Sequence, residues 1–327
     1  MRKFAAAAAA SLFAAFAFAG AAVAFEPGNS ECIAPADAGG GWDFTCRQVG
    51  KALYDEKIVP NPVQVTNLSG GGGGVAWAEV VSKRNSDDNL IVAASSATTT
   101  RLAQGAYPGA SMDQVRWVGT IGSDYGVIAV SKDSPINSLK DLLDQVKADP
   151  TSIAFAGGSA VGGWDHLKVL IAAKADGIDD VTKIKYVAFN GGGEAVTQLL
   201  GGHVQAFTGD LSEAKGFSDS GDIKILAVLA PERLPGDFAG FPTAKEQGID
   251  AVGANWRGFY APGKMDDDAY SFWAAAIKKV YDSDAWKQVM AQNGLMPLDL
   301  QGDAFQAFVQ KQVDDTAALS REIGILK

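Results

Sequence analysis

Histidine and cysteine are nearly missing from this chain: its 327 residues contain two of each. Neither His166 nor His203 lies near a Cys, His or Glu cluster at metal-ligand spacing, so no metal site is expected. His166 reads as a packing or surface residue at the start of a helix, His203 as an exposed turn residue, and histidine-dependent catalysis has little to build on. The motif G-x-x-x-x-G-K-[ST] does not occur. Gly70–Gly74 runs into Val75-Ala76-Trp77, without the lysine that a P-loop aims at a phosphate, and no cofactor is expected. Positive charge is also short, with 28 Lys+Arg against 38 Asp+Glu and a net charge of −10, which argues against nucleic acid as a partner. Beyond the first two dozen residues no apolar run is long enough to cross a membrane.

The N-terminus carries a signal of its own. Arg2 and Lys3 precede an uncharged run from Phe4 to Val23 that ends in Ala22-Val23-Ala24, a small-x-small cleavage pattern. Residues 1–24 therefore read as a secretory signal that directs the chain to the periplasm. A transmembrane anchor is the alternative, disfavoured because the run is mostly alanine. Without the signal the chain keeps 26 Lys+Arg and 38 Asp+Glu, a charge of −12. The roughly 300 residues that remain exceed what one hydrophobic core usually serves and suggest two domains. In an exported chain Cys32 and Cys46 read as a disulfide closing a short loop, with two free thiols as the alternative.

Short Val- and Ile-rich runs alternate with longer amphipathic stretches, the pattern of an α/β fold with parallel sheets covered by helices. Strands are expected near 31–35, 63–68, 90–95, 117–121, 127–131, 152–156, 184–189, 205–208, 223–229 and 258–261. Helices are expected near 44–54, 75–83, 139–148, 164–175, 194–200 and 244–248, and three more near 266–282, 284–292 and 303–324. Glycine or small polar residues recur where a strand hands over to a helix: Gly39–Gly41, Gly70–Gly74, Ser95–Thr100, Gly157–Gly163 and Gly191–Gly193. Ligands of open α/β sheets lie outside the carboxyl ends of the strands, so these turns point to one binding face or two facing each other. Glycine bares the backbone, and the first N–H groups of a helix lack partners within it, which makes each turn a seat for an anion. Taken singly, each also reads as a tight connection; Gly201-Gly202 reads as a helix stop.

Side chains around the turns allow two readings each. Asp43 and Asp165 fall in first helical turns, where a carboxylate either meets a ligand or simply favours the helix dipole. With Asp210 they form an acid/base set only on paper, since nothing places two of them at carboxylate-pair distance. Trp42, Trp77 and Trp164 flank turns as pocket walls or as core. Arg101 either pairs with an anion or lies on the surface.

The segments "ECIAPADAGGGWDFTCR", "DQVRWVGTIGSDYGVIAVSKDSP", "YVAFNGGGEAVTQLLGGHVQAFTGDLSEA", "ERLPGDFAGFPTAKEQGID" and "RGFYAPGKM" resemble the extracytoplasmic substrate-binding proteins of tripartite tricarboxylate transporters, also called the Bug family. The likeness runs in order through most of the chain, and "CIAPA", "GGGWDFTC", "SDYGVIAV" and "GDLSE" look most like its citrate-binding branch. What the resemblance implies is a two-lobed periplasmic binding protein-like clamp, a Venus flytrap with crossover strands. Its first lobe would hold residues 25–124 and 252–327, and its second 125–251. Backbone amides and small hydroxyls would hold a ligand carboxylate. In the first lobe these are Gly40, Gly41, Trp42 and Asp43, then Gly71, Gly72 and Gly73, then Ser95, Ser96 and Thr98. In the second they are Ser159, Gly162, Gly163 and Asp165, then Asn190, Gly191 and Gly192, and Asp210. The resemblance implies a monomeric, non-enzymatic binding protein that passes citrate or a related tricarboxylate to membrane permease subunits. C4 dicarboxylates or aromatic acids are the alternatives, and a secreted hydrolase using an aspartate or Ser159 is a further one. The loop "SSATTTR" departs from the family pattern in its hydroxyls and its cation, which leaves the choice of acid open. On this reading Gly41→Val abolishes binding and leaves the fold largely intact.

Overall fold

The computed structural model describes residues 25–326; the expected signal segment, 1–24, lies outside them. In chain order the first lobe begins with β1 (Glu31–Ala34), α1 (Gly41–Asp55), β2 (Gln64–Asn67), α2 (Gly74–Lys83), β3 (Leu90–Ser95) and α3 (Ser96–Ala103). A long strand, β4 (Val115–Ser131), leads into α4 (Leu139–Ala148), β5 (Ala154–Gly157), α5 (Trp164–Ala175), β6 (Lys185–Ala188), α6 (Gly192–Leu200), β7 (Ala206–Asp210), α7 (Leu211–Asp219) and β8 (Ile223–Val228). The chain returns through β9 (Ala254–Pro262) to α8 (Asp267–Asp282), α9 (Asp284–Asn293) and α10 (Gly302–Glu322). No helix of the described residues is long and apolar enough to cross a membrane.

The sheet order is β2-β1-β3-β9-β4-β7-β5-β6, with β8 also paired to β4. In the first lobe β1 lies parallel between β2 and β3, and in the second β5 lies parallel between β6 and β7. Each lobe thus repeats one doubly wound unit. The parallel pairing expected from the sequence holds within each unit, while the crossover strands β4 and β9 run antiparallel to their neighbours and join the two units.

The residues read as two strands, 117–121 and 127–131, form the single strand β4. In the fold Gly119 and Gly122 fall at register shifts against β9, and Gly122 adopts a φ of 143°. From Val115 to Tyr125 β4 pairs with β9, and from Gly126 onward it pairs with β7 and β8. At that change of partner the strand leaves one set of paired strands for the other.

The helices form because apolar residues fall on one face at helical spacing. In α1, Trp42, Cys46, Val49 and Leu53 are all buried at spacings of four, three and four. That stripe packs with Phe259, Trp273 and Ile277 in one apolar layer of the first lobe, while Trp77, Trp117, Trp256, Tyr260 and Phe305 fill the other. The second lobe has a layer around Leu143, Phe155, Leu167 and Leu170 and one around Val127, Val196, Phe207 and Leu211. Helix α10 starts in the first lobe with Phe305 and Val309, and its Leu319, together with Ile323 and Ile325 just past its end, packs against the second. Two packed cores, rather than one, carry the roughly 300 residues.

Cys32 and Cys46 are bonded, with Cα atoms 5.7 Å apart. The bridge ties β1 to α1 across the first glycine turn. The double variant Cys32→Ala/Cys46→Ala is expected to be less stable by about 3 kcal/mol, the chain-entropy value for a loop of this size. The check is a lower urea midpoint, a fall absent when the wild-type protein is first reduced.

Candidate functional site

A cavity of about 320 Å³ lies between the lobes, at the carboxyl ends of β1 and β3 on one side and β5 and β7 on the other. That is room for a small molecule of a few to about a dozen heavy atoms, at the lower end of the range for ligand sites. Its walls include Gly41, Trp42, Gly71, Gly72 and Ser95 from the first lobe. From the second come Ser159, Gly163, Asp165, Asn190, Gly191 and Asp210. These residues of the expected set thus face one another across a single cavity.

Others of the expected set stand behind the wall. Gly40 packs against Gly191: a Cβ on Gly40 would lie 3.1 Å from the Gly191 Cα, and one on Gly191 3.3 Å from the Gly40 Cα. Beside them the Asp37 N–H donates to the Asn190 carbonyl at 3.0 Å. The β1–α1 turn and the β6–α6 turn therefore touch main chain to main chain, and the absence of side chains there is what lets them meet. Asp43 does not face the cavity. Its carboxylate accepts from Gly39 N–H, Arg47 and Asn67, which fixes the turn from behind, and these bonds outweigh burial to hold its pKa low.

Gly73 packs against the Tyr107 hydroxyl, which donates to the Gly72 carbonyl at 2.6 Å. Ser96 bonds to Asn255 and Ala254, and Thr98 accepts the Ser95 N–H as part of the cap of α3. The Gly162 N–H donates to Nδ1 of His166, which stacks on Tyr186 at 4.5 Å and which burial holds near a pKa of about 4. His166 is a neutral packing residue. Of the tryptophans, Trp42 alone lines the cavity and donates to Ser95 Oγ at 3.1 Å; Trp77 and Trp164 are core.

The floor of the cavity is a buried set of charges. Arg257 Nη2 donates to Asp124 and to Asp210, both at 2.8 Å. Lys168 Nζ meets Asp165 at 2.7 Å and Asp210 at 2.8 Å, and Asn255 donates to Asp210 at 2.6 Å. Asp210 is thus saturated by the protein itself. Burial opposes the charge on Lys168 and Arg257, but the neighbouring carboxylates outweigh it and raise both pKa values. Burial pulls Asp210 upward, yet Lys168 and Arg257 bring it below the usual carboxylate range. For Asp124 and Asp165 burial wins and their values rise.

Glu213 completes the floor. Its Oε1 accepts from the N–H of Gly41 at 2.8 Å and of Gly192 at 3.3 Å, and its Oε2 accepts from the N–H of Asp210 at 3.0 Å. Gly41 belongs to the first lobe and the other two to the second, so one carboxylate spans the junction. Burial, followed by Asp210 and Asp165, pushes its pKa up to about 7.

Sequence reasoning missed Lys168, Glu213, Asn255 and Arg257. Two signals pointed to them: an arginine in the middle of the apolar run "NWRGFYAP", and the spacing Asp210-x-x-Glu213, which is that of a helix capping box.

Arg101, read as an anion partner or a surface residue, lines the cavity. Its Nη1 donates to Gln104 and, across the lobes, to the Val161 carbonyl at 3.2 Å, while its Nε is buried without a partner. Burial lowers its pKa, and among the described residues no carboxylate pairs with it.

Residues 45–325 match the model of the tripartite tricarboxylate transporter family receptor. The chain belongs to this family. Among its relatives, BugT of Bordetella pertussis is 26% identical over 295 residues, covering 90% of this chain and 89% of BugT. The UPF0065 protein in the gbd 5′ region of Cupriavidus necator is 24% identical, and the match spans only 61% of that protein. The solved structure of the periplasmic binding protein BugD superposes with a TM-score of 0.82 at 22% identity, over 91% of this chain and 98% of BugD. MatC from Rhodopseudomonas palustris, solved with bound malate, gives 0.77 at 19% identity over 89% and 98%. The receptor family and its two-lobed fold are therefore common ground. At these identities the solved structures speak for the fold, and the ligand must be argued from this chain's own cavity.

Proposed function

We propose that the protein is a periplasmic receptor that closes on a small carboxylate between its lobes and delivers it to the membrane permease of a tripartite tricarboxylate transporter. The observation that carries the reading is Arg101. A guanidinium on the cavity wall, half removed from water and without a carboxylate of its own, is a site for an anionic group supplied from outside. Arg101 also donates to Val161, so an anion held there meets a side chain that already bridges the lobes, and only interactions that differ between open and closed states shift the population toward closure.

The family's receptor character and the malate bound to MatC support a carboxylate ligand. Citrate was the acid singled out by the sequence segments. The lining offers two guanidinium groups, Arg101 and Arg257, and the second is already paired with Asp124 and Asp210. One available cation favours an acid with fewer carboxylates than citrate. The hydrolase alternative gains no support from Ser159, whose hydroxyl meets the Asp165 N–H and the Tyr186 hydroxyl rather than a base.

Calorimetric titration with mono-, di- and tricarboxylates tests the proposal. Arg101→Met is expected to weaken the acid that binds by about ten- to a hundredfold, the loss of one or two charge-assisted hydrogen bonds, with an unchanged melting temperature. Turnover of the added acid, or undiminished affinity in the variant, would overturn it.

A further inference from the structure

The glycine turns were expected to offer bare N–H groups to a ligand, but the N–H groups of Gly41, Gly192 and Asp210 all donate to Glu213. What that end of the cavity presents is a carboxylate, not an anion seat. The balance of charge around it points the same way. Among the described residues Asp124, Asp165, Asp210 and Glu213 share the floor with two cations, Lys168 and Arg257, and every ion pair those two make is with an aspartate. Glu213 therefore has no cationic side chain bonded to it. Glu194 lines the same cavity and likewise has no cationic partner among the described residues. On the other wall Arg101, beside Gly72 and the 159–163 loop, is a cation without an acid.

Resting on the carboxylate-receptor reading above, we propose that the ligand is amphoteric, with its carboxylate at Arg101 and a protonated amine at Glu213. An ammonium can donate to Oε2 of Glu213, which among the described residues accepts only the Asp210 N–H, and it offsets the excess of buried negative charge. A second carboxylate in the same place meets Glu213 head on, where like charges in a poorly hydrated site repel strongly. Burial first, and then Asp210 and Asp165, raise the Glu213 pKa against the opposing pull of Arg257 and Lys168, and an ammonium beside it would favour its charged form. Glu213 thus acts as a specificity residue: it converts a seat that two lobes would build for an anion into one that selects a cation.

The test is a titration series at matched chain length: ω-amino acids, α,ω-diacids and monoacids of three to six carbons, with the α-amino acids of the same lengths. Wild-type protein is expected to bind an amino acid at least tenfold more tightly than the diacid of the same length. In Glu213→Gln that advantage is expected to vanish. In Glu213→Ala, which uncovers the amides of Gly41 and Gly192, the diacid is expected to become the tighter ligand. Circular dichroism and melting confirm that each variant is folded. A wild-type protein that prefers diacids, or a preference for amino acids unmoved in both variants, overturns this inference and leaves the carboxylate receptor standing. Failure of every compound to bind overturns both.

Discussion

Gly41→Val is expected to abolish ligand binding and, in addition, to unsettle the junction between the lobes. A Cβ at residue 41 would lie 2.2 Å from Nη1 and 2.4 Å from Nη2 of Arg257. A flexible side chain could ordinarily move aside. This one is buried and pinned to Asp124 and Asp210 at 2.8 Å each, so moving it breaks a paired charge set where water cannot replace the lost bonds. Overpacking alone costs about 1–3 kcal/mol, and partial loss of a buried ion pair adds to it. The expected result is no measurable affinity together with a drop of at least about 3 kcal/mol by urea titration. Unchanged stability would mean that the arginine has somewhere else to go. The sequence suggested a milder outcome because it showed a glycine bared toward a ligand; what the glycine accommodates is the protein's own guanidinium.

The same contrast separates what was legible in the chain from what was not. Strand–helix alternation and the glycine turns gave the α/β class and the facing sets of loops, because both follow from local backbone preference and from where helix starts fall. Cys32 and Cys46 were legible from compartment and spacing. The long strand β4 was not, since glycines that mark a turn in most contexts here permit a bulged strand to pass between lobes. Nor was the charge set. Lys168 lies on a helix buried on nearly every side, and Arg257 in an apolar strand, so the signal was a single charge out of pattern. Its partners, Asp124 and Asp210, lie 133 and 47 residues away in sequence. Pairing at such range depends on the crossover topology, which no local pattern encodes. Arg101 was legible as a residue but not as a role: only the fold shows that no acid accompanies it.

Arg257→Met is expected to have the largest effect on stability of any single change here. Methionine keeps much of the buried volume while removing the only cation bonded to Asp124 among the described residues, which leaves Ser212 as its remaining hydrogen-bond partner there. Removing one member of a buried ion pair costs about 3–5 kcal/mol, chiefly through the charge left stranded. If that is the cause, the deficit must depend on pH. Burial already holds the Asp124 pKa above its ordinary value, and loss of Arg257 drives it higher. A carboxyl whose folded pKa lies above its unfolded one binds more protons when folded, so stability rises as pH falls and is lost as pH rises through the folded value. The variant is therefore expected to recover part of its deficit between pH 7 and pH 5, measured by urea midpoints against wild type. Adding Asp124→Asn should restore a similar share at pH 7 by removing the stranded charge. A deficit that is the same at both pH values and unrelieved by Asp124→Asn would show that Arg257 stabilises the junction by packing alone, and the charge set would lose its place as the element that joins the lobes.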